Sequence, residues 1–473
     1  MSSDEENSAK KASNKEVLTG VIVSIASVAA GTAIAWSSPV NPKLSEDTLH
    51  DTPLDRVATE IEKSWIGSLV ALGAFITPFI AGPLSDKIGR KWTLLSSAIF
   101  FILSFILLLT TRSVTQIYIA RLIQGFGVGF VMTVQPMYIG EIASDAVRGA
   151  LGSLMQLFIT VGILYVYVIG PYNTYYELQW ACLAIPIVFF ATFFFMPESP
   201  NYLISRGRKD DATKALVFLR GKKPEEVQEE ISVLEKNIQL AMEKAGSYVD
   251  VFRGKANTKA LTISVGLCVF QQLSGINAVL FYTQDIFLKA VGKSGESTHG
   301  APDSALSTII VGAVMMGASG VTPLIVDRLG RKVLLLFSAA GIVVALGFLG
   351  LFFMLDAHNY EIVQSLGWLP VTALIVFVIV YCFGFGPLPW AVMGEMFSAE
   401  IKSKASAVVA GSCWFLGFCV TLGFEPLDTA LGTHWAFWLF GICSAGGFIF
   451  VLLIVFETKG LTSQQIQDKL NGL

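Results

Sequence analysis

Twelve apolar runs of roughly twenty residues each, parted by polar stretches, set the pattern of this chain. They fall at 17–38, 63–84, 92–111, 116–139, 149–170, 179–196, 259–288, 305–326, 333–355, 368–392, 404–424 and 434–456. A run of that length is a helix that crosses a bilayer, because a helix satisfies its own backbone in lipid. A closed barrel would instead show strands of about ten residues with alternating polarity. The pattern predicts an all-α integral membrane protein with twelve transmembrane helices.

One stretch interrupts the pattern from within. Gln271-Gln272-Leu273-Ser274-Gly275-Ile276-Asn277 lies inside the seventh run and places three side-chain amides and a hydroxyl at membrane depth. Polar groups are costly there. They serve either as contacts that hold neighbouring helices together or as a site for a ligand. Amides match the mixed donors and acceptors of a neutral polyol without burying charge. The tenth run carries Gly384-Phe385-Gly386-Pro387-Leu388-Pro389-Trp390, which breaks a helix. Such a break survives at this depth only beside a cavity or a protein partner. The Trp390 indole offers a flat face for the C–H side of a sugar ring. Gln156 adds an amide in the fifth run.

Charge orients the chain. Placed on the side of the termini, the loops carry 26 of the 33 Lys and Arg residues; the opposite loops carry 6, and Arg121 lies within the fourth run. The positive-inside rule puts both termini in the cytoplasm. The chain then divides into a tail 1–16, six spans over 17–196, a linker 197–258, six spans over 259–456 and a tail 457–473. The linker is charged, with apolar residues at helical spacing, and predicts short amphipathic helices under the membrane domain.

The two sets of six repeat each other. Asp86-Lys87-Ile88-Gly89-Arg90-Lys91 and Asp327-Arg328-Leu329-Gly330-Arg331-Lys332 both read D-x-x-G-R-K, 241 residues apart. Glu141 and Arg148 match Glu395 and Lys402, and Glu198 matches Glu457, at offsets of 254 and 259. Matched pairs in near-constant register indicate duplicated, pseudo-symmetric six-helix bundles. The sequence places these charges at cytoplasmic helix ends. There, Asp86, Arg90, Glu141, Arg148 and Glu198, with Asp327, Arg331, Glu395, Lys402 and Glu457, are expected to bridge the halves as a latch that breaks when the inside opens.

Composition narrows the rest. Only 15% of residues are charged and 53% are apolar. No basic tract points to nucleic acid. The six cysteines sit in apolar runs and read as packing residues, with no Cys/His spacing for a metal. No nucleophile–base pair falls at one depth, so neither an enzyme nor a cofactor is expected. The polar start of the chain is unlike a cleaved signal peptide.

Q-Q-L-S-G-I-N, G-x-G-P-x-P-W, P-E-S-P after the sixth span, the doubled D-x-x-G-R-K and the E-T-K-G near the end resemble the sugar porter family of the major facilitator superfamily, over nearly the whole chain. Ala35-Trp36-Ser37-Ser38-Pro39 resembles insect facilitated trehalose transporters and related hexose facilitators. The resemblance implies the major facilitator fold, alternating access and sugar contacts from Gln156, Gln271, Gln272, Asn277 and Trp390. Met315, Cys382 and Cys413 stand where hexose facilitators usually have Asn, Glu and Asn; Asn201 and Phe456 replace an Arg and a Pro. Expected partners are a small sugar and the lipid bilayer, for a monomer in the plasma membrane. The expected activity is uniport of a trehalose- or glucose-type sugar; the alternatives are a proton-coupled hexose symporter or a sugar sensor without flux. The first span has no acidic residue to partner Arg121, which disfavours the symporter, and tails of about 16 and 17 residues disfavour the sensor. Arg121 is expected to reach water at the outer end of its span or to bond backbone carbonyls.

Overall fold

The computed structural model describes residues 13–45, 53–144, 146–243, 246–291, 303–398 and 400–472. Most of the expected N-terminal tail lies outside these residues, as does the side chain of Asp327. Among the described residues, eleven helical segments are long and apolar enough to cross a bilayer, and a twelfth is bent. The bent one, span two, joins Glu60–Ile76 to Pro78–Ile88 at 48°. Pro78 has no N–H to continue the ladder, and the Thr77 hydroxyl turns back to the Gly73 carbonyl at 2.8 Å.

The remaining spans follow the apolar runs with shifted ends. Span one is Asn14–Ala35 continued by Ser37–Lys43, span three Arg90–Leu109, span four Val114–Ile142, span five Arg148–Ile169 and span six Tyr175–Phe193. Span seven is Lys255–Leu273 followed by Ile276–Val291, span eight Ser304–Leu329 and span nine Arg331–Ala357. Span ten is Leu369–Phe383 followed by Leu388–Met396, span eleven Lys402–Leu431 and span twelve Thr433–Leu453.

Small residues set the closest approaches, as expected where lipid supplies no hydrophobic drive between helices. Gly31 of span one meets Gly162 of span five, and Gly73 of span two meets Gly125 of span four; a Cβ at any of these would run into facing backbone. Between the halves, span two packs along span eleven and span five along span eight.

The linker carries Pro200–Ser205, Lys209–Arg220 and Gln228–Glu243. Tyr202, Leu203, Ala212 and Ala215 form one small core, and Leu216, Val227 and Ile231 another. Arg220 fastens this layer to the membrane domain. It meets Glu16 at 3.2 Å and Glu230 at 2.7 Å and donates to the Ile142 carbonyl at 2.9 Å. At the other end, Gly246 N–H donates to the Glu400 carbonyl at 3.1 Å, tying the linker to the second half. The last segment also holds a helix, Ser463–Asn471, opened by a Thr462–Gln465 capping box. Its Leu470 is fully buried and Gln467 donates to the Met396 carbonyl at 2.8 Å.

Candidate functional site

Two broken helices meet at the polar stretch. In span seven, Gly275 takes φ +80°, in the left-handed region that a side chain disfavours, and its missing Cβ leaves room for the Phe440 ring. In span ten, Gly384 lies so close to span nine that a Cβ would strike the Ser338 side chain and the Leu334 carbonyl. The break frees the carbonyls of Phe385 and Gly386. Gln271 satisfies both, donating through Nε2 at 2.6 and 2.9 Å.

From Gln271 a chain of polar contacts runs into span eleven and back. The Cys413 thiol donates to Gln271 Oε1 at 3.5 Å and accepts from Gln272 Nε2 at 3.1 Å. Gln272 Oε1 accepts from Asn277 Nδ2 at 2.6 Å. Gly417 makes the approach of span eleven feasible: a Cβ there would sit 3.1 Å from both Asn277 Nδ2 and Gln272 Oε1. The three amides are all buried. Gln156 and Trp390 are half-buried, and neither makes a side-chain hydrogen bond among the described residues. Their donors are free for a ligand, whereas those of Gln271, Gln272 and Asn277 are engaged.

Two of the residues that stand where polar ones were expected pack on each other: the Cys382 thiol lies 3.9 Å from the Met315 carbonyl, and the Ser319 hydroxyl is 3.6 Å from the same thiol. Cys413 is instead a member of the polar chain, a role its apolar surroundings hid. Span four contributes Gln135, whose Oε1 accepts from Ser27 at 2.7 Å while its buried Nε2 has no partner among the described residues. A lone amide in an apolar run gave no signal beyond its polarity.

Arg121 takes the second of its two expected courses, bonding backbone carbonyls. It is fully buried and does not reach water. The Trp36 ring covers it, with the guanidinium carbon 5.0 Å from the ring centroid. It donates to the carbonyls of Ala33 at 2.7 Å and Ile66 at 2.9 Å and to Gln124 Oε1 at 2.6 Å. It thus pins spans one and two to span four, with no carboxylate partner among the described residues.

The duplicated charges lie at the span ends on the side of the linker. They pair within each half, in the same way twice. Arg90 bridges Glu141 at 3.0 Å, and Arg331 bridges Glu395 at 3.1 Å. Glu198 accepts from the Lys91 N–H at 3.0 Å; Glu457 accepts from the N–H groups of Arg331 and Lys332, both at 3.0 Å. Each carboxylate thereby sits on the start of a helix, where the dipole favours an anion. Gly89 (φ +103°) and Gly330 (φ +89°) turn the chain at these points, and a Cβ on either would collide with the carboxylate. Asp86 joins Arg90 at 3.0 Å. Arg148 donates to the Ala143 carbonyl at 3.2 Å, and Lys402 is exposed. No hydrogen bond or ion pair joins these span ends of one half to those of the other among the described residues. Burial raises the Glu198 carboxyl above its usual range. For Glu457 burial pushes the same way, but donation from several backbone N–H groups outweighs it and holds the carboxyl low.

Comparison with known proteins decides the family. A sequence model described as sugar (and other) transporter matches residues 3–470. The chain belongs to this sugar transporter family. The facilitated trehalose transporter Tret1-2 homolog of Drosophila simulans is 38% identical over 459 residues, 97% of this chain and 91% of that protein. The facilitated trehalose transporter Tret1 of Culex quinquefasciatus is 36% identical, covering 98% and 87%. Among solved structures, the inward-open xylose transporter XylE of E. coli superposes with a TM-score of 0.76 at 21% identity, over 95% of this chain and 98% of that one. XylE bound to 6-bromo-6-deoxy-D-glucose gives 0.72 at 22%, over 96% and 98%. The fold is that of the major facilitator superfamily.

In this transporter the ends of the halves on the face away from the linker are joined. Tyr167 of span five donates to the Leu280 carbonyl at 2.8 Å and lies 3.0 Å from the Thr283 hydroxyl. Ser37 donates to the Phe281 carbonyl at 3.1 Å, and Gln284 N–H donates to Ser38 at 3.1 Å. Asn41 donates to the partly buried Asp285 at 3.4 Å. Aromatic pairs Trp65–Phe418 and Phe75–Phe415 continue the seam at centroid distances of 6.0 and 5.3 Å. The transporter is shut on this side.

Proposed function

We propose that this integral membrane transporter is a uniporter that moves a neutral sugar of trehalose or glucose type down its gradient by alternating access. The observation that carries the reading is the convergence of Gln271, Gln272 and Asn277 on two helix breaks, with the unengaged Gln156 and Trp390 as further contacts. Amides and an indole supply hydrogen bonds and a flat apolar face, which suits a polyol and leaves no charge at the centre. Trehalose is placed ahead of glucose on two grounds: the curated relatives carry that name, and Met315 and Cys382 make this pocket less polar than that expected of hexose facilitators.

The cycle pairs two arrangements. With the outside shut, the Tyr167, Ser37 and Ser38 contacts hold the halves together and the cytoplasmic charges pair within each half. With the inside shut, Asp86, Arg148 and Lys402 would meet charges of the opposite half. The protein acts as a monomer, with both termini cytoplasmic, in the plasma membrane. Uptake of labelled trehalose and labelled glucose, side by side, into vesicles containing the purified protein tests the reading. Saturable uptake of either supports transport. Glucose uptake that excess trehalose leaves unchanged reverses the order of substrates. Binding without flux would replace transport by sensing.

A further inference from the structure

A cavity of about 380 Å³ lies apart from the polar stretch, at the edge of the first half. The start of span three, the segment after span six and the linker helices Pro200–Ser205 and Lys209–Arg220 enclose it. Three cations line it, Lys91, Arg208 and Lys214, with two carboxylates, Glu198 and Asp211. The carboxylates are already engaged. Glu198 accepts from the backbone of Lys91 at 3.0 and 3.2 Å and of Ser199 at 2.8 Å. Asp211 holds Arg208 at 2.8 Å and Lys214 at 3.5 Å. Lys91 has no carboxylate within ion-pair reach among the described residues. Its ammonium instead lies 5.5 Å from the centroid of the Phe194 ring and 5.7 Å from that of Trp92. The cavity therefore keeps a net positive charge and one ammonium that meets aromatic rings and no ion-paired carboxylate among the described residues.

The rim has the opposite character. Phe195 is 78% exposed and Trp92 51% exposed, at the ends of membrane-crossing helices. Large apolar side chains so placed meet acyl chains, and indoles favour the headgroup level. Positive charge inside and aromatic rings at the lip select a ligand with an anionic head and apolar tails. A free phosphate would use the cations and ignore the rings. We propose that this cavity seats the headgroup of an anionic phospholipid, with its phosphate against Lys91 and Lys214 and its chains over Phe195 and Trp92. The lipid would brace the start of span three against the linker layer. The proposal is independent of which sugar is carried.

The test is titration of phosphatidylinositol 4-phosphate onto the detergent-purified full chain, read by native mass spectrometry, with phosphatidylcholine of the same chains as control. Bound phosphatidylinositol 4-phosphate should outlast phosphatidylcholine. Each interfacial cation is worth roughly fivefold in such attraction, so K91Q with K214Q should weaken binding about 25-fold. F195S should weaken lipid binding by a smaller factor. The water-soluble inositol phosphate headgroup should not compete at equal concentration. Equal retention of both lipids, or unchanged affinity in the double variant, overturns the proposal. Competition by the soluble headgroup also overturns it and makes the cavity a soluble-phosphate site. D211N provides a check of opposite sign, since it frees Arg208 and Lys214 and should tighten binding. If it does not, the proposal fails even where the double variant is unstable.

Discussion

Gln271 and Gln272 are neighbours in sequence with different duties. The Gln271 donor is fully used on two carbonyls released by the break in span ten. The Gln272 donor rests on a thiol, a weak acceptor that a sugar hydroxyl can displace at small cost. Gln272→Ala should therefore lower uptake at limiting sugar by about tenfold, the loss of one hydrogen bond of ~0.5–1.5 kcal/mol plus an unpaired sugar hydroxyl. Its melting temperature should stay near that of the parent. Gln271→Ala should instead lower the melting temperature, because unsatisfied buried carbonyls cost about 1–3 kcal/mol. Vesicle uptake and thermal unfolding, measured on both variants, separate the roles; unchanged uptake in the Gln272 variant would remove it from the site. The amides themselves were legible in the sequence because polarity at membrane depth is rare. Their division of labour was not, since it depends on Cys413, whose thiol reads as apolar in a pattern and acts as a polar link in the fold.

Helix ends show where pattern reading succeeds and where it stops. Bilayer thickness imposes a length, so the spans stood out as long apolar runs, and glycine with proline marked the break in span ten. The Ser463–Asn471 helix, nine residues and polar, offered no such length, and only its capping box announced it. The duplicated charges were recognisable as pairs, but not the half that each would face. That is fixed by Gly89 and Gly330, whose positive φ folds each chain end onto its own carboxylate. Two predictions follow at this scale. Tyr167→Phe removes hydrogen bonds worth ~0.5–1.5 kcal/mol each from the outer seam. It should favour the outward-facing arrangement several-fold, seen as faster labelling of a cysteine placed in the pocket from outside; unaltered labelling would deny the seam a gating role. Acid behaviour should differ between the duplicated carboxylates. Glu457, held below its usual value, contributes stability above roughly pH 4.3 that is lost as pH falls further. Glu198, held above it, contributes with the opposite slope, its stabilisation declining as pH rises through the interval above roughly 4.3. Thermal unfolding across this range should show Glu457→Gln flattening the first trend and Glu198→Gln the second.

Across the whole molecule, energy coupling turns on where ionisable groups reside. Arg121 makes its contacts with backbone carbonyls and an amide, and the one acid of the first span, Glu16 in its first turn, pairs with Arg220 instead. Asp285 takes part in the seam between the halves and Glu425 faces Lys289 of span seven; neither joins the amide chain. Without a titrating group that changes surroundings at the central site, a pH difference has nothing to act upon. Vesicles given an inward proton gradient should therefore only equilibrate sugar; accumulation above the outside level, abolished by a protonophore, would establish symport. The amide of Gln271 has a further effect at this scale. It fastens the interruption in span seven to the interruption in span ten, one of which leads to the outer seam and the other towards the Arg331–Glu395 clamp. Two pivots joined by a rigid strut cannot swing separately. The broken helices of the second half would then move together, and a leak, which requires both doors ajar at once, would require these two hydrogen bonds to break.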